Sequence, residues 1–295
     1  MTSLLDKIEQ SDQIIRTAIK TWKPTAIISL FSGGYDSLTT THLAHALDFR
    51  PTVYAINTKM SADGWHDYVF SVAAAYSWKF SIYDNQKGFL EWVEWVRLNG
   101  CPYSREGHHK TYNRLKGRGI EAILKRHKGH YYNKVLFLSG IRQSESKERE
   151  KLTKPINRLG KSNAIYVNPI FYWSHDDVLE YRLKHNLPTN PFYETVGGSG
   201  DCQCNWGQFI TLPALARHSP RLAEGNVALI DEISRENHGY GWDEEPGRRL
   251  FNSAEIDEGQ FTSPFLCSNC SRSHSPAPGK SAAAEAVYMD RLFEL

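Results

Sequence analysis

Ala26-Ile27-Ile28-Ser29-Leu30-Phe31-Ser32-Gly33-Gly34-Tyr35-Asp36-Ser37 is the stretch from which the fold can be read. An apolar, β-branched run leads into a Gly-Gly turn. Leu38 to Leu47 then continues at helical spacing, so the segment predicts a strand, a loop and a helix in direct succession. A loop of this kind aims backbone N–H groups from the positive end of a helix, where phosphate binds readily. Glycines let the main chain approach an anion closely, and Ser32 and Ser37 add hydroxyls. No Lys-Ser/Thr pair closes the loop, so it is not a Walker A sequence. Its glycines also lack the spacing of a dinucleotide-binding Gly-x-Gly-x-x-Gly.

Ser32-Gly33-Gly34-Tyr35-Asp36-Ser37 resembles the Ser-Gly-Gly-x-Asp-Ser loop of the PP-loop ATP pyrophosphatases, the adenine nucleotide alpha hydrolases. The resemblance implies a loop that holds the β- and γ-phosphates of ATP, which leave as pyrophosphate.

The rest of the chain repeats the strand and helix pattern. Leu4, Leu5, Ile8, Ile14, Ile15 and Ala18 predict an amphipathic opening helix that Lys23-Pro24 stops. Strands are expected at Pro51–Thr58, Trp78–Tyr83, Lys134–Gly140 and Ala164–Ile170, with helices at Asp63–Tyr76 and Gly88–Leu98. This alternation predicts an α/β fold with a doubly wound, mostly parallel sheet over residues 1–200. Residues 201–295 are expected to form a mostly helical, cysteine-containing C-terminal lobe. Ligands of doubly wound sheets sit at the carboxyl ends of strands, so Asn57 and Thr58 should face the nucleotide. Ser174-His175-Asp176-Asp177 predicts a capping box at the start of another helix.

Two further segments point to anions. Gly140-Ile141-Arg142-Gln143-Ser144-Glu145-Ser146-Lys147-Glu148-Arg149 follows a buried strand at its carboxyl end. Arg142 can fork onto phosphate or sulfate oxygens, and Lys147 can act as a point charge. Gly140, Arg142, Glu145, Ser146 and Arg149 match the Gly-x-Arg-x-x-Glu-Ser-x-x-Arg segment of the phosphoadenosine phosphosulfate reductase branch, which this stretch resembles. Asn168-Pro169-Ile170, Trp173-Ser174, Asp177-Val178 and Leu187-Pro188-x-Asn190-Pro191-x-Tyr193 resemble that branch too. They are expected to deliver Tyr193 and the adjoining loop toward the site. The second anionic candidate is the helix at 105–128, which carries Arg105, Lys110, Arg114, Lys116, Arg118, Lys125, Arg126 and Lys128. It reads either as a solvated face or as an electropositive wall for phosphates or nucleic acid.

Net charge is +2 over 295 residues, so any nucleic-acid contact has to come from a local patch. No apolar run approaches the ~20 residues of a membrane span. The first residues carry acid early and no signal-peptide core, and a soluble cytoplasmic protein is the expectation. Five cysteines are grouped as Cys202-x-Cys204 and Cys267-x-x-Cys270, with Cys101 alone. Two thiol pairs in a reducing compartment suggest a four-cysteine site for structural zinc or an iron–sulfur cluster. Sulfur-handling relatives of the resembled branch commonly carry [4Fe–4S], which the resemblance therefore implies, with Zn2+ as the alternative.

The assimilatory reductases end in a nucleophilic Glu-Cys-Gly-x-His tail, and Tyr288 to Leu295 does not contain it. The resemblance then implies ATP pyrophosphatase chemistry. Mg2+-bound ATP would sit on Ser32–Ser37. Asp36 would hold the metal or orient the α-phosphate, and Arg142, Lys147 and Arg149 would neutralise developing charge. Tyr35 and Gly140 complete the expected nucleotide contacts. The closest setting is DNA phosphorothioation, in which similar ATP pyrophosphatases with a cysteine cluster insert sulfur. A tRNA thiolation enzyme, a sulfonucleotide reductase and a non-catalytic ATP-binding subunit stand as alternatives. A nucleic-acid acceptor, a sulfur-donor protein such as a cysteine desulfurase, and a homodimer are the partners this reading entails.

Overall fold

The computed structural model describes residues 3–102, 105–145, 153–158, 162–204, 212–242 and 244. Helix α1 (Leu4–Trp22) opens on a capping box between Ser3 and Asp6. It ends with Lys23 in the left-handed region, just before Pro24. Six strands come after it: β1 (Ala26–Leu30), β2 (Thr52–Asn57), β3 (Phe80–Asp84), β4 (Val135–Leu138), β5 (Ile156–Arg158) and β6 (Ala164–Val167). They form one sheet in the order β3-β2-β1-β4-β6-β5. All neighbours are parallel except β5, which runs antiparallel to β6. The expected doubly wound α/β sheet is therefore present. The edge strand β5 is an addition to the expectation.

Helices α2 (Tyr35–Ala46), α3 (Trp65–Ala75), α4 (Gln86–Asn99), α5 (Arg105–Tyr112) and α6 (Arg118–Lys128) connect these strands. After β6 come α7 (His175–Lys184), α8 (Phe192–Thr195), α9 (Leu212–His218), α10 (Pro220–Leu222) and α11 (Ala228–His238). Helix α7 carries the expected Ser174–Asp177 capping box.

Side chains alternate across the sheet, as a strand's two-residue period requires. Leu136, Leu138, Ile165 and Val167 meet Ile15, Ala18 and Ala44 of α1 and α2 on one face. Val135, Phe137, Ile28 and Tyr54 meet Ile120 and Ile123 of α6 on the other. Each fully buried aliphatic side chain adds about 1.5–3 kcal/mol over exposure. A third cluster joins Val53, Trp65, Trp92 and Val96 to Leu215, Leu222, Val227, Ile230 and Trp242. The C-terminal helices up to Trp242 thus share a core with α3 and α4. Asp63 accepts from the backbone N–H groups of Arg221 and Leu222, which ties α10 to the loop before α3.

The chain winds outward from β1 in two directions, to β2 and β3 on one side and to β4 and β6 on the other. The carboxyl ends of β1 and β4 form the switch point of the sheet, where a crevice opens by topology.

Candidate functional site

At the switch point the loop after β1 is held from several sides. Gly33 has φ +86°, a conformation that suits glycine, and a Cβ there would lie 3.2 Å from the Tyr68 ring. The indole N–H of Trp65 donates to Ser32 O at 2.9 Å. Asn190 Nδ2 donates to Gly33 O at 2.9 Å and to Ser199 O at 3.1 Å. The Ser32 and Ser37 hydroxyls lie 3.1 Å apart, and Ser37 donates to Gly34 O at 2.9 Å. Gly34 is the N-cap of α2 and brings no side chain to the helix terminus. In its place Ser32 Oγ accepts from Gly34 N–H, and Tyr193 OH accepts from Tyr35 N–H, both at 3.3 Å. Five of the expected loop residues, Ser32, Gly33, Gly34, Tyr35 and Ser37, are thus gathered around one helix N-terminus, with Tyr193 delivered to it.

The loop after β4 comes from the neighbouring strand. A Cβ on Gly140 would fall 2.5 Å from Asp36 C and 2.8 Å from Ser37 N. The two loops therefore touch main chain to main chain. Arg142 Nε and Nη2 donate to Asp36 Oδ1 and Oδ2 at 2.9 and 3.2 Å, a two-pronged pair of the strong kind. Glu145 accepts from Arg142 N–H at 3.0 Å. Arg142 is buried, only 5% exposed. Its guanidinium is enclosed by Asp36 and Ser144. Lys147 and Arg149 lie outside the described residues.

Asn57 and Thr58 stand at the end of β2, where they were expected, but both are engaged by protein. Asn57 Nδ2 donates to Asp84 at 3.1 Å, and its Oδ1 accepts from Lys59 N–H. Thr58 is fully buried and donates to Asp201 O at 2.8 Å. Ser61 donates to the same carbonyl at 3.0 Å. Ser199 and Lys116 bind the two Asp201 carboxylate oxygens, each at 2.6 Å. The strap from Asn190 to Cys204 is therefore knitted to both the phosphate loop and the end of β2.

Lys116 reaches Asp201 because the helix α5–α6 is broken by a π-turn at Asn113–Gly117. The turn adds a residue and re-aims the side chains beyond it. Asn85 Nδ2 satisfies its two loosened carbonyls, Arg114 O and Leu115 O, each at 2.8 Å. The nearby carboxylate raises the Lys116 pKa despite burial.

The basic helix is paired with carboxylates in its middle stretch. Arg118 pairs with Glu91 and Glu121, Lys125 with Glu121, and Lys116 with Asp201. Arg114 donates to the carbonyls of Glu91 and Lys110. Among the described residues no carboxylate pairs with Arg126 or Lys128, so positive charge remains at the C-terminal end of α6.

Cys202 is half-buried and Cys204 buried, directly beyond Asp201. Their hydrogen bond, with burial, raises the Cys202 thiol well above its ordinary range, and Lys116 opposes the shift. Cys267 and Cys270 lie outside the described residues. Among the described residues no group of three or more His, Cys, Asp and Glu side chains is placed to hold a metal ion. Cys101 is buried elsewhere, with its backbone N–H on Ser234 Oγ and its thiol pushed up to about 12 by burial. No described helix is long and apolar enough to cross a membrane.

Trp65, Ser199 and Arg182 are site residues that pattern reading missed, and Asn190 was expected only as part of the turn that delivers Tyr193. Arg182 lies over the Tyr35 ring at 3.4 Å, and Tyr35 stacks on Tyr193 with centroids 4.2 Å apart. Nothing in the spacing of Trp65, Ser199 or Arg182 marks them.

A model of the phosphoadenosine phosphosulfate reductase domain matches residues 26–204. Adenosine 5'-phosphosulfate reductase of Bacillus cytotoxicus is 37% identical over 71 residues, 24% of this chain and 30% of that protein. The Bacillus thuringiensis enzyme of the same name is 35% identical over 71 residues, 24% of this chain and 30% of its own length. The match thus spans under a third of these curated relatives. Among solved structures, the Candida auris phosphoadenylyl-sulfate reductase in its phosphate complex has a TM-score of 0.44 at 20% identity, over 61% of this chain and 82% of that one. The NMN synthetase of Francisella tularensis gives 0.49 at 12% identity, over 83% and 97%.

Proposed function

Since the chain belongs to the phosphoadenosine phosphosulfate reductase domain family, we propose that its switch-point crevice binds a nucleoside triphosphate and cleaves it at the α-phosphate. The observation that carries the reading is the contact of Gly140 and Arg142 with the first turn of α2. It brings a buried guanidinium beside a glycine-serine loop at the positive end of a helix.

In this reading the β- and γ-phosphates of Mg2+-bound ATP lie on Ser32, Gly33, Gly34, Tyr35 and Ser37. An acceptor oxygen attacks the α-phosphorus, the bond to the β-phosphate oxygen breaks, and pyrophosphate leaves. The acceptor becomes adenylylated, and a sulfur nucleophile can later displace AMP. Arg142 neutralises charge in the transition state, which is positioning and electrostatics. Asp36 holds Arg142, and a carboxylate has lone pairs left for Mg2+ or a water on it. Lys147 and Arg149 keep the charge-neutralising role expected of them. The acceptor class we propose is nucleic acid, with DNA phosphorothioation ahead of tRNA thiolation.

The adjacent thiols of Cys202 and Cys204 fit half of a four-sulfur donor set, and Cys267 with Cys270 would supply the rest. A metal or cluster held there contributes a fixed cross-link or a redox centre, and binding it displaces the thiol protons. Iron and sulfide analysis of anaerobically purified protein, with zinc measured alongside, distinguishes [4Fe–4S] from Zn2+.

Pyrophosphate release from ATP with DNA or tRNA as acceptor, lost in Ser37→Ala, is the expected result. A second reading, sulfonucleotide reduction, is favoured by the similarity to the two Bacillus reductases. It predicts sulfite release from adenosine 5'-phosphosulfate with reduced thioredoxin, and no pyrophosphate.

A further inference from the structure

We infer that the pole of the sheet opposite the phosphate loop is a docking surface for single-stranded nucleic acid, built on Tyr131 and Tyr132. This deepens the nucleic-acid half of the function proposed above. The two tyrosines are the most exposed large hydrophobic side chains among the described residues, at 74% and 83%. Their rings are edge to face at 5.2 Å, and Lys128 Nζ lies 5.5 Å from the Tyr131 ring centre. The loop that presents them is held by main-chain contacts. Asn133 N–H donates to His130 O at 3.2 Å, Thr25 N–H to Lys134 O at 2.9 Å, and Asn163 to Tyr131 O.

The charge around the rings has one sign. From Ala122 to Lys134 the chain carries Lys125, Arg126, Lys128 and Lys134 and no acid. Lys125 is engaged by Glu121, while Lys134 meets only the neutral Asn163 amide. Burial, and then the positive charges of Arg126 and Lys79, depress the His127 pKa, which places Lys79, just before β3, at the same pole. Arg158 at the start of the β5–β6 turn lies over Trp22. Asp48, beyond the end of α2, is paired with Arg50.

Exposed ring faces beside unneutralised cations are what an unstacked base and its phosphates require. An acidic protein surface would want the cations but would gain less from two phenols with no exposed aliphatic neighbours on the same loop. The location also separates anchoring from chemistry. Lys128 is 12 residues of helix from Lys116, about 18 Å along the axis. A strand anchored at the tyrosines would run along α6 toward the strap and the switch point.

Fluorescence anisotropy of the full chain with labelled oligothymidylate and oligouridylate tests this, over a series of salt concentrations and without nucleotide. Binding should weaken as salt rises. Tyr131→Ala/Tyr132→Ala should weaken it at least tenfold at fixed salt, with the melting temperature unchanged. Tyr131→Phe/Tyr132→Phe should restore it, because the stacking faces remain. Arg126→Ala/Lys128→Ala should lower the salt dependence. Affinity for both oligonucleotides that is absent at low salt, or equal in native protein and the Ala pair, overturns the inference. So does equal competition by polyglutamate, which would assign the pole to an acidic protein. Because no ATP is present, failure here is separable from failure to release pyrophosphate.

Discussion

Arg142 and Asp36 face each other across 106 residues of chain with two hydrogen bonds, at 2.9 and 3.2 Å. The pair closes the seam between the loop after β4 and the first turn of α2. Breaking a buried pair from one side leaves a charge without a partner. Arg142→Ala and Asp36→Ala should each cost on the order of 3 kcal/mol, the lower end for such pairs because Asp36 retains some solvent contact. The double variant should lose less than the two singles together, by about 1–3 kcal/mol. Urea unfolding of the four proteins measures it. Strict additivity would mean that the two side chains do not stabilise one another.

Gly140 seals the same seam from the main chain. Adding one methyl places carbon 2.5 Å from Asp36 C and 2.7 Å from Asp36 O, and main chain cannot move aside as a side-chain tip can. Gly140→Ala should lower stability by about 1–3 kcal/mol and weaken binding of inorganic pyrophosphate by moving the loop off α2. Calorimetric titration against native protein reads the second effect. Unchanged affinity with lowered stability would separate this contact from the anion site.

The phosphate loop and most of the sheet were legible because local chemistry dictates them. An Ile-rich run before Gly-Gly, or Ser174 three residues before Asp177, needs no distant partner to be read. Strand β5 escaped because three residues, Ile156-Asn157-Arg158, are too few to show alternation. The burial of Arg142 and the pairing of Lys116 and Arg118 escaped for another reason. Their partners, Asp36, Glu91 and Asp201, stand far away in sequence and meet them only through the topology. The composition of residues 105–128 therefore could not show which of its cations are paired.

Acid should destabilise the protein in a window set by histidine. His42 on α2 is pushed down from 6.5 to about 4, chiefly by burial and then by His185 and His45. His45 and His185 are lowered as well, also chiefly by burial. The unfolded chain binds protons below pH 6.5 that the folded chain refuses. The histidine contribution is thus complete above that pH and is lost as pH falls toward about 4. Asp177 and Glu94, whose values are lowered, lose their contributions only further into acid. Melting temperature measured across this window should fall in native protein and fall less in His42→Gln. Parallel curves would remove His42 as a source.

The π-turn makes the sharpest test, because one side chain performs two separable tasks there. Asn85 Oδ1 caps α4 by accepting from Gly88 N–H at 3.2 Å, while Nδ2 donates to the carbonyls of Arg114 and Leu115. Asn85→Ala loses the cap, about 1 kcal/mol, and strands two carbonyls at about 1–3 kcal/mol each. Asn85→Asp keeps the capping oxygen but turns an acceptor toward two acceptors. If holding the π-turn is the larger task, Asp should be at least as damaging as Ala in thermal unfolding. If the cap is the larger task, Asp should melt near the native protein. The first outcome carries a consequence for the strap, since the same turn aims Lys116 at Asp201. Loosening it should raise hydrogen exchange at Asp201, Cys202 and Gln203 while leaving β4 protected.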